Sequence, residues 1–194
     1  MLRHWHIAPI VFAFAFASQP ACACMTVAPL KLEDVRYADV VVTGRVFNYK
    51  IIRDVEFRKQ MLANPKLSPE DRARYEGPRQ LLPDYARFEV QVQEVLKGKA
   101  PDRITVTWTN STFGEPEEMA SGPFLIALRY PSSKMPPLRG PSATILPNKE
   151  PGTLTVLQAP CAPAFIFPVT DVRVESIRRI LRGEDNLDVS GDSP

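Results

Sequence analysis

Arg87-Phe88-Glu89-Val90-Gln91-Val92-Gln93-Glu94-Val95-Leu96, residues 87–96, alternates apolar and polar side chains and then breaks step. Phe88, Val90 and Val92 point to one face and Glu89, Gln91 and Gln93 to the other, the period of two that marks a half-buried strand. At Glu94 the phase slips, and Val95 takes the place that alternation assigns to a polar residue. One inserted residue, a β-bulge, produces such a slip and bends the strand, as closing a small barrel requires.

Working outward, Lys97-Gly98-Lys99 reads as a turn into Ile104-Thr105-Val106-Thr107-Trp108. Ala38 to Asn48 is β-branched enough for a buried strand, and Phe124 to Tyr130 and Thr153 to Leu157 are two further strand-like runs. Five strands separated by turn signals predict an all-β domain, a small antiparallel barrel or sandwich. The chain has 20 prolines, and they concentrate between the apolar runs, where they mark loops. Ser68-Pro69-Glu70-Asp71 has a capping serine, proline at the first helical position and acids in the first turn. That predicts a short helix to Tyr75 with Gly77 ending it, inside a long connection of about 49–85 between the first two strands. A C-terminal helix is expected from near Asp171, burying Val174, Ile177 and Leu181 and stopping at Gly183. Arg178, Arg179 and Arg182 in its last turns read as complements to the helix dipole, and the acidic tail 183–194 as disordered.

The N-terminus carries basic and polar residues Met1 to His6, then the apolar run Ile7 to Ala17. This is the pattern of a secretory signal peptide, too short to span a bilayer. Residues 1–23 are assigned to the signal and 24–182 to one domain. A cut after Ala23 makes Cys24 the first residue and is preferred because it keeps an even number of cysteines; a cut after Ala17 also fits the small-residue rule and keeps all three, while one after Ala21 is the weaker match. Export to a periplasmic or extracellular space implies an oxidising compartment, where Cys24 and the distant Cys161 are expected to form a bridge. One buried and one exposed thiol is the alternative.

Composition narrows the chemistry. Both histidines, His4 and His6, lie in the signal segment, so the mature chain lacks the residue that Ser-His-Asp or Cys-His activation and His-ligated zinc require. No Gly-rich phosphate loop occurs, and Glu115, Glu117 and Glu118 read as solvated charge on a turn. The expectation is a protein without catalytic residues, resident metal or cofactor. Net charge is +2 with basic residues dispersed, which leaves no nucleic-acid footprint. Trp108 reads as a core or rim aromatic, and Asn110-Ser111-Thr112 fits the short glycosylation acceptor pattern.

Cys22-Ala23-Cys24, Ala38-Asp39-Val40-Val41, the strand Phe88-x-Val90-x-Val92-x-x-Val95-x-Lys97-Gly98 and the late Cys161 together resemble the tissue inhibitors of metalloproteinases, their netrin-like relatives and the bacterial proteins sharing their N-terminal domain. The likeness covers Cys22 to about Pro168. It implies an OB-fold, a five-stranded Greek-key barrel, here with a long helical insertion between strands 1 and 2 and a C-terminal helix. It also implies roles for the N-terminal triplet. Cys22 is the residue whose α-amine and carbonyl chelate a protease zinc, Ala23 faces the specificity pocket, and Cys24 pairs with Cys161. A neutral α-amine, with a pKa of about 7.7–8.0, is a usable nitrogen ligand at neutral pH. The expected function is a secreted, non-catalytic binding module of this type with a protein or carbohydrate partner; the alternative is a zinc-metalloprotease inhibitor acting through its N-terminal cysteine.

Overall fold

The computed structural model describes residues 27–184 apart from 79, 82, 110–114 and 138–147. The expected signal segment, the acceptor pattern Asn110-Ser111-Thr112 and residues 185–194 of the tail lie outside the described residues. Stretch 87–96 belongs to strand β2 (Tyr85–Lys97), paired antiparallel with β1 (Val40–Ile52). Thr43 faces Glu94 and Gly44 faces Val92, so Gln93 is left unmatched beside the slip seen in the sequence. A second irregularity follows, with Val42 opposite Val95 and Val41 opposite Lys97. Through them β2 changes sides. Phe88 and Val90 are buried inside the barrel, Val95 is 41% exposed, and Leu96 packs into a cluster outside it. Gly44 makes the tight crossing possible, because a Cβ there would lie 2.5 Å from the Gln91 carbonyl oxygen.

The other strands are β3 (Arg103–Thr109), β4 (Phe124–Arg129), β5 (Leu154–Val156) and β6 (Ile166–Pro168). Pairing runs β1-β2-β3-β5-β4 and returns to β1 through Val40–Gly44 against Phe124–Leu128, which closes a five-stranded barrel. All these pairings are antiparallel except β3 with β5. β5 and β6 lie end to end along one edge of β4. The five runs expected as strands are β1 to β5, with ends displaced by a few residues. β6 was not anticipated, because three residues ending in proline carry too little alternation to read.

Two cores explain the unbroken apolar runs. Val40 and Val42 of β1 and Ile126 and Leu128 of β4 face the barrel interior with Phe88, Val90, Val106 and Trp108. Val41, Leu125 and Ala127, pointing the other way, pack with Val35, Phe165, Phe167, Val174 and Ile177. β1 and β4 are therefore buried on both faces where they pair, and alternation disappears there. The outer core is covered by α3 (Val172–Arg182) and by a 3-10 segment, Leu32–Tyr37. Asp171 caps α3 by accepting from the Arg173 amide at 2.9 Å, and Gly183 at φ 77 ends it. Val174 and Ile177 are buried as expected and Leu181 packs at the edge. Arg178 does more than complement the dipole: its guanidinium donates to both carboxylate oxygens of Glu94, at 3.0 and 2.6 Å, tying α3 to the bulge.

Between β1 and β2 lie two short helices, α1 (Val55–Leu62) and α2 (Pro69–Glu76). α2 is the helix expected from its cap: the Ser68 hydroxyl accepts from the Asp71 amide at 3.1 Å, and Gly77 follows. The connection is shorter than the expected 49–85, because β1 runs on to Ile52 past a bulge at Asn48, φ 52, a residue type that tolerates the left-handed region. α1 escaped sequence reading because it buries no residue and so carries no apolar stripe. No helix of the described residues is long and apolar enough to cross a membrane.

Candidate functional site

Of the residues singled out at the N-terminus, Cys22, Ala23 and Cys24 lie outside the described residues. Cys161 is described: it is 3% exposed, adopts φ 67, and is disulfide-bonded. Its carbonyl accepts from the Ala28 amide at 2.8 Å, and Ala28, Ala159 and Ala162 pack beside it. The first described residues of the chain are thus fastened to the loop before β6.

A cleft of about 240 Å³ opens on the outer face of the barrel. Tyr85 and Thr109 are directly opposed across the β2–β3 pair and form its floor. α1 supplies one wall with Glu56, Phe57 and Gln60, and Asn148 and Lys149, on the way into β5, supply the other. Period-two alternation puts Tyr85 and Thr109 outward once Ala86 and Trp108 take the interior. An ion pair of 2.7 Å between Lys149 Nζ and Asp54 Oδ2 joins the walls. The Lys149 ammonium beside Asp54 holds that carboxyl below the usual carboxylate range. Tyr85 donates its hydroxyl to Glu150 Oε1 at 2.9 Å, and burial together with Glu150 pushes the phenol up to about 12.

Behind this cleft sits a buried clamp. Asp84 has no exposed surface; Arg58 Nη1 and Nη2 donate to its two oxygens at 2.5 and 2.7 Å, and the amides of Asp54 and Leu81 donate at 2.8 Å each. Burial alone raises a carboxyl pKa, but these four donors outweigh it and hold Asp84 below its ordinary value. Asp54 in turn caps α1, accepting from the Phe57 amide at 2.9 Å. α1 is therefore positioned by polar contacts to the foot of β2 in place of an apolar face.

Glu115 corrects an expectation. Its sequence context predicts solvated turn charge together with Glu117 and Glu118; those two are exposed, but Glu115 is 5% exposed. Gln80 donates to its Oε1, while Oε2 is buried with no hydrogen-bond partner, and the Tyr49 hydroxyl donates to the neighbouring Pro116 carbonyl. Burial pushes the Glu115 carboxyl up to about 8, opposed by its own backbone amide and Gln80 and assisted by the charge of Asp84. The folded protein thus holds a proton that the unfolded chain releases near pH 4.3. That proton's stabilisation is complete below about pH 4.3 and is lost as pH rises through about 8. Glu115→Gln mimics the protonated side chain, so its urea midpoint is expected to stay level from pH 6 to 9 while the wild type falls. At pH 9 the variant should be the more stable by about 1–3 kcal/mol, the cost of a buried charged group left short of donors. Equal pH slopes in the two proteins would refute this.

Trp108 is 7% exposed and donates its indole N–H to Gln158 Oε1 at 3.0 Å, so it is a core aromatic with a satisfied donor, as expected. Among the described residues no group of three or more His, Cys, Asp or Glu residues is placed to hold a metal ion. Asp54 before Val-Glu-Phe carries a weak capping signal in the sequence; Asp84, Glu115 and Lys149 carry none, since the side chains they pair with lie 26 to 95 residues away in the chain. No protein-family model and no curated protein matches this sequence.

Proposed function

We propose that this chain is an exported, non-catalytic binding module built on an OB-fold Greek-key barrel of the metalloproteinase-inhibitor and netrin-like type, with residues 53–84 inserted between strands 1 and 2. Support for the fold comes from the closed order β1-β2-β3-β5-β4 with a parallel β3–β5 pair. The observation that carries the functional reading is the fastening of the N-terminal segment: Ala28 donates to the carbonyl of a disulfide-bonded Cys161. Cys24 is the proposed bridge partner, four residues upstream of Ala28. A tether of this kind presents the processed N-terminus at a fixed place on the barrel, which is useful for recognition.

Zinc-metalloprotease inhibition is the second reading, and the same tether favours it, because a chelating α-amine has to be held rigidly. It ranks second because the loop after the third strand offers Phe113 where the family has the cysteine that pins its first residue. Each additional residue ordered on docking costs about 1–2 kcal/mol.

Intact mass of the exported protein, with thiols alkylated before and after reduction, tests both. Expected is a chain beginning at Cys24 with both cysteines bridged and no free thiol. A start at Cys22 with one free thiol would transfer the proposal to the inhibitor, and inhibition should then vanish when the α-amine is acetylated. A chain retaining residues 1–23, or one without a bridge, would overturn the reading.

A further inference from the structure

We propose that the cleft between α1 and Asn148-Lys149 binds a single pyranose ring of a saccharide, an assignment that rests on the binding-module reading and gives it a ligand class. The cleft holds two aromatic rings that are already fixed. Phe57 packs edge-on against Tyr75, ring centroids 6.0 Å apart at 72°, and the Tyr85 hydroxyl is committed to Glu150. Both rings therefore offer apolar surface in a set orientation, as stacking on the C–H face of a sugar requires. Around them the side chains of Glu56, Gln60 and Thr109 make no hydrogen bond or ion pair among the described residues. A carboxylate, an amide and a hydroxyl present acceptors, donors and a group that is both, and a ring of hydroxyls can answer all three. The other ligand classes meet opposition. With Asp54 neutralised by Lys149, Glu56 is left to repel an anion, and a single carboxylate on an exposed helix is too little to hold a small cation against water. An apolar guest would strand the polar groups without partners. At about 240 Å³ the cleft takes one ring, below the roughly 300–1,000 Å³ of sites for drug-sized ligands.

The test is saturation-transfer NMR on the full exported chain with the methyl glycosides of glucose, galactose, mannose and N-acetylglucosamine, each at millimolar concentration, with inorganic phosphate and methylammonium as competitors. Expected is transfer to the ring protons of at least one glycoside, unaffected by either ion. Binding should weaken fivefold or more in the double variant Glu56→Ala/Gln60→Ala, whose two substitutions lie at exposed helical positions and should leave the circular-dichroism spectrum unchanged. No transfer from any of the four glycosides overturns the assignment. Binding that is unchanged in the double variant also overturns it, since the sugar then sits elsewhere on the barrel; the binding-module reading survives that result and stands or falls on the N-terminal mass.

Discussion

Asp84→Ala is expected to strip α1 of hydrogen-exchange protection while β2 and β3 keep theirs. Removing the carboxylate takes from the Arg58 guanidinium, 11% exposed, the anion to which both its Nη atoms donate, and breaking so buried a pair costs about 3–5 kcal/mol. α1 has no buried residue to hold it in place against that penalty. The cheapest relief is to swing α1 outward and hydrate Arg58, so the damage is local and the cleft loses a wall. Arg58→Met should cost less, about 1–3 kcal/mol, because Asp84 keeps the amide donors of Asp54 and Leu81. The same clamp is sensitive to acid. The folded pKa of Asp84 lies below its unfolded value near 3.9, so its contribution is present above that pH and is lost as pH falls through the folded value. Exchange of α1 amides should accelerate in that window before the barrel opens. Unchanged protection of residues 55–62 in Asp84→Ala would show that something other than the clamp holds α1.

The second large effect is expected at Cys161. A bridge to Cys24 closes a loop of more than a hundred residues, and chain-entropy arguments put its contribution at roughly 4–5 kcal/mol. Cys161→Ala should therefore lower Tm by roughly 8–20 °C, given about 2–4 °C per kcal/mol for a domain of this size. Cys161 also sits in the left-handed region at φ 67, a conformation that the Ala28 hydrogen bond and the packing of Ala159 and Ala162 help to maintain. Reduction of the wild type should reproduce most of the loss, and Cys161→Ala should be indifferent to reductant. A variant whose Tm is unchanged and whose N-terminal segment remains protected from proteolysis would remove the tether from the proposed function.

Much of the barrel was legible because its signals are short-range. The period-two stretch 87–96, its slip at Glu94, the Ser68-Pro69 cap and the Gly183 stop each depend on residues within a turn or two of one another, and each has its counterpart in β2, its bulge, α2 and α3. α1 and β6 were missed for the complementary reason. One has no apolar periodicity and the other is three residues long, so both exist only because tertiary contacts hold them.

The candidate site divides along the same line. The sequence by itself determined a β-rich domain with strands at five places, two capped helices, three cysteines and histidine confined to the first six residues, all properties of composition and local pattern. It did not determine that Glu115 is buried under Gln80, that Asp84 grips Arg58, or that Tyr85 and Thr109 floor a cleft whose walls come from α1 and from residues more than eighty positions later. Burial and charge pairing depend on which distant segments the closed barrel brings together. An isolated Glu or Asp reads the same in sequence whether solvent or a guanidinium is to surround it; the tertiary arrangement makes that choice.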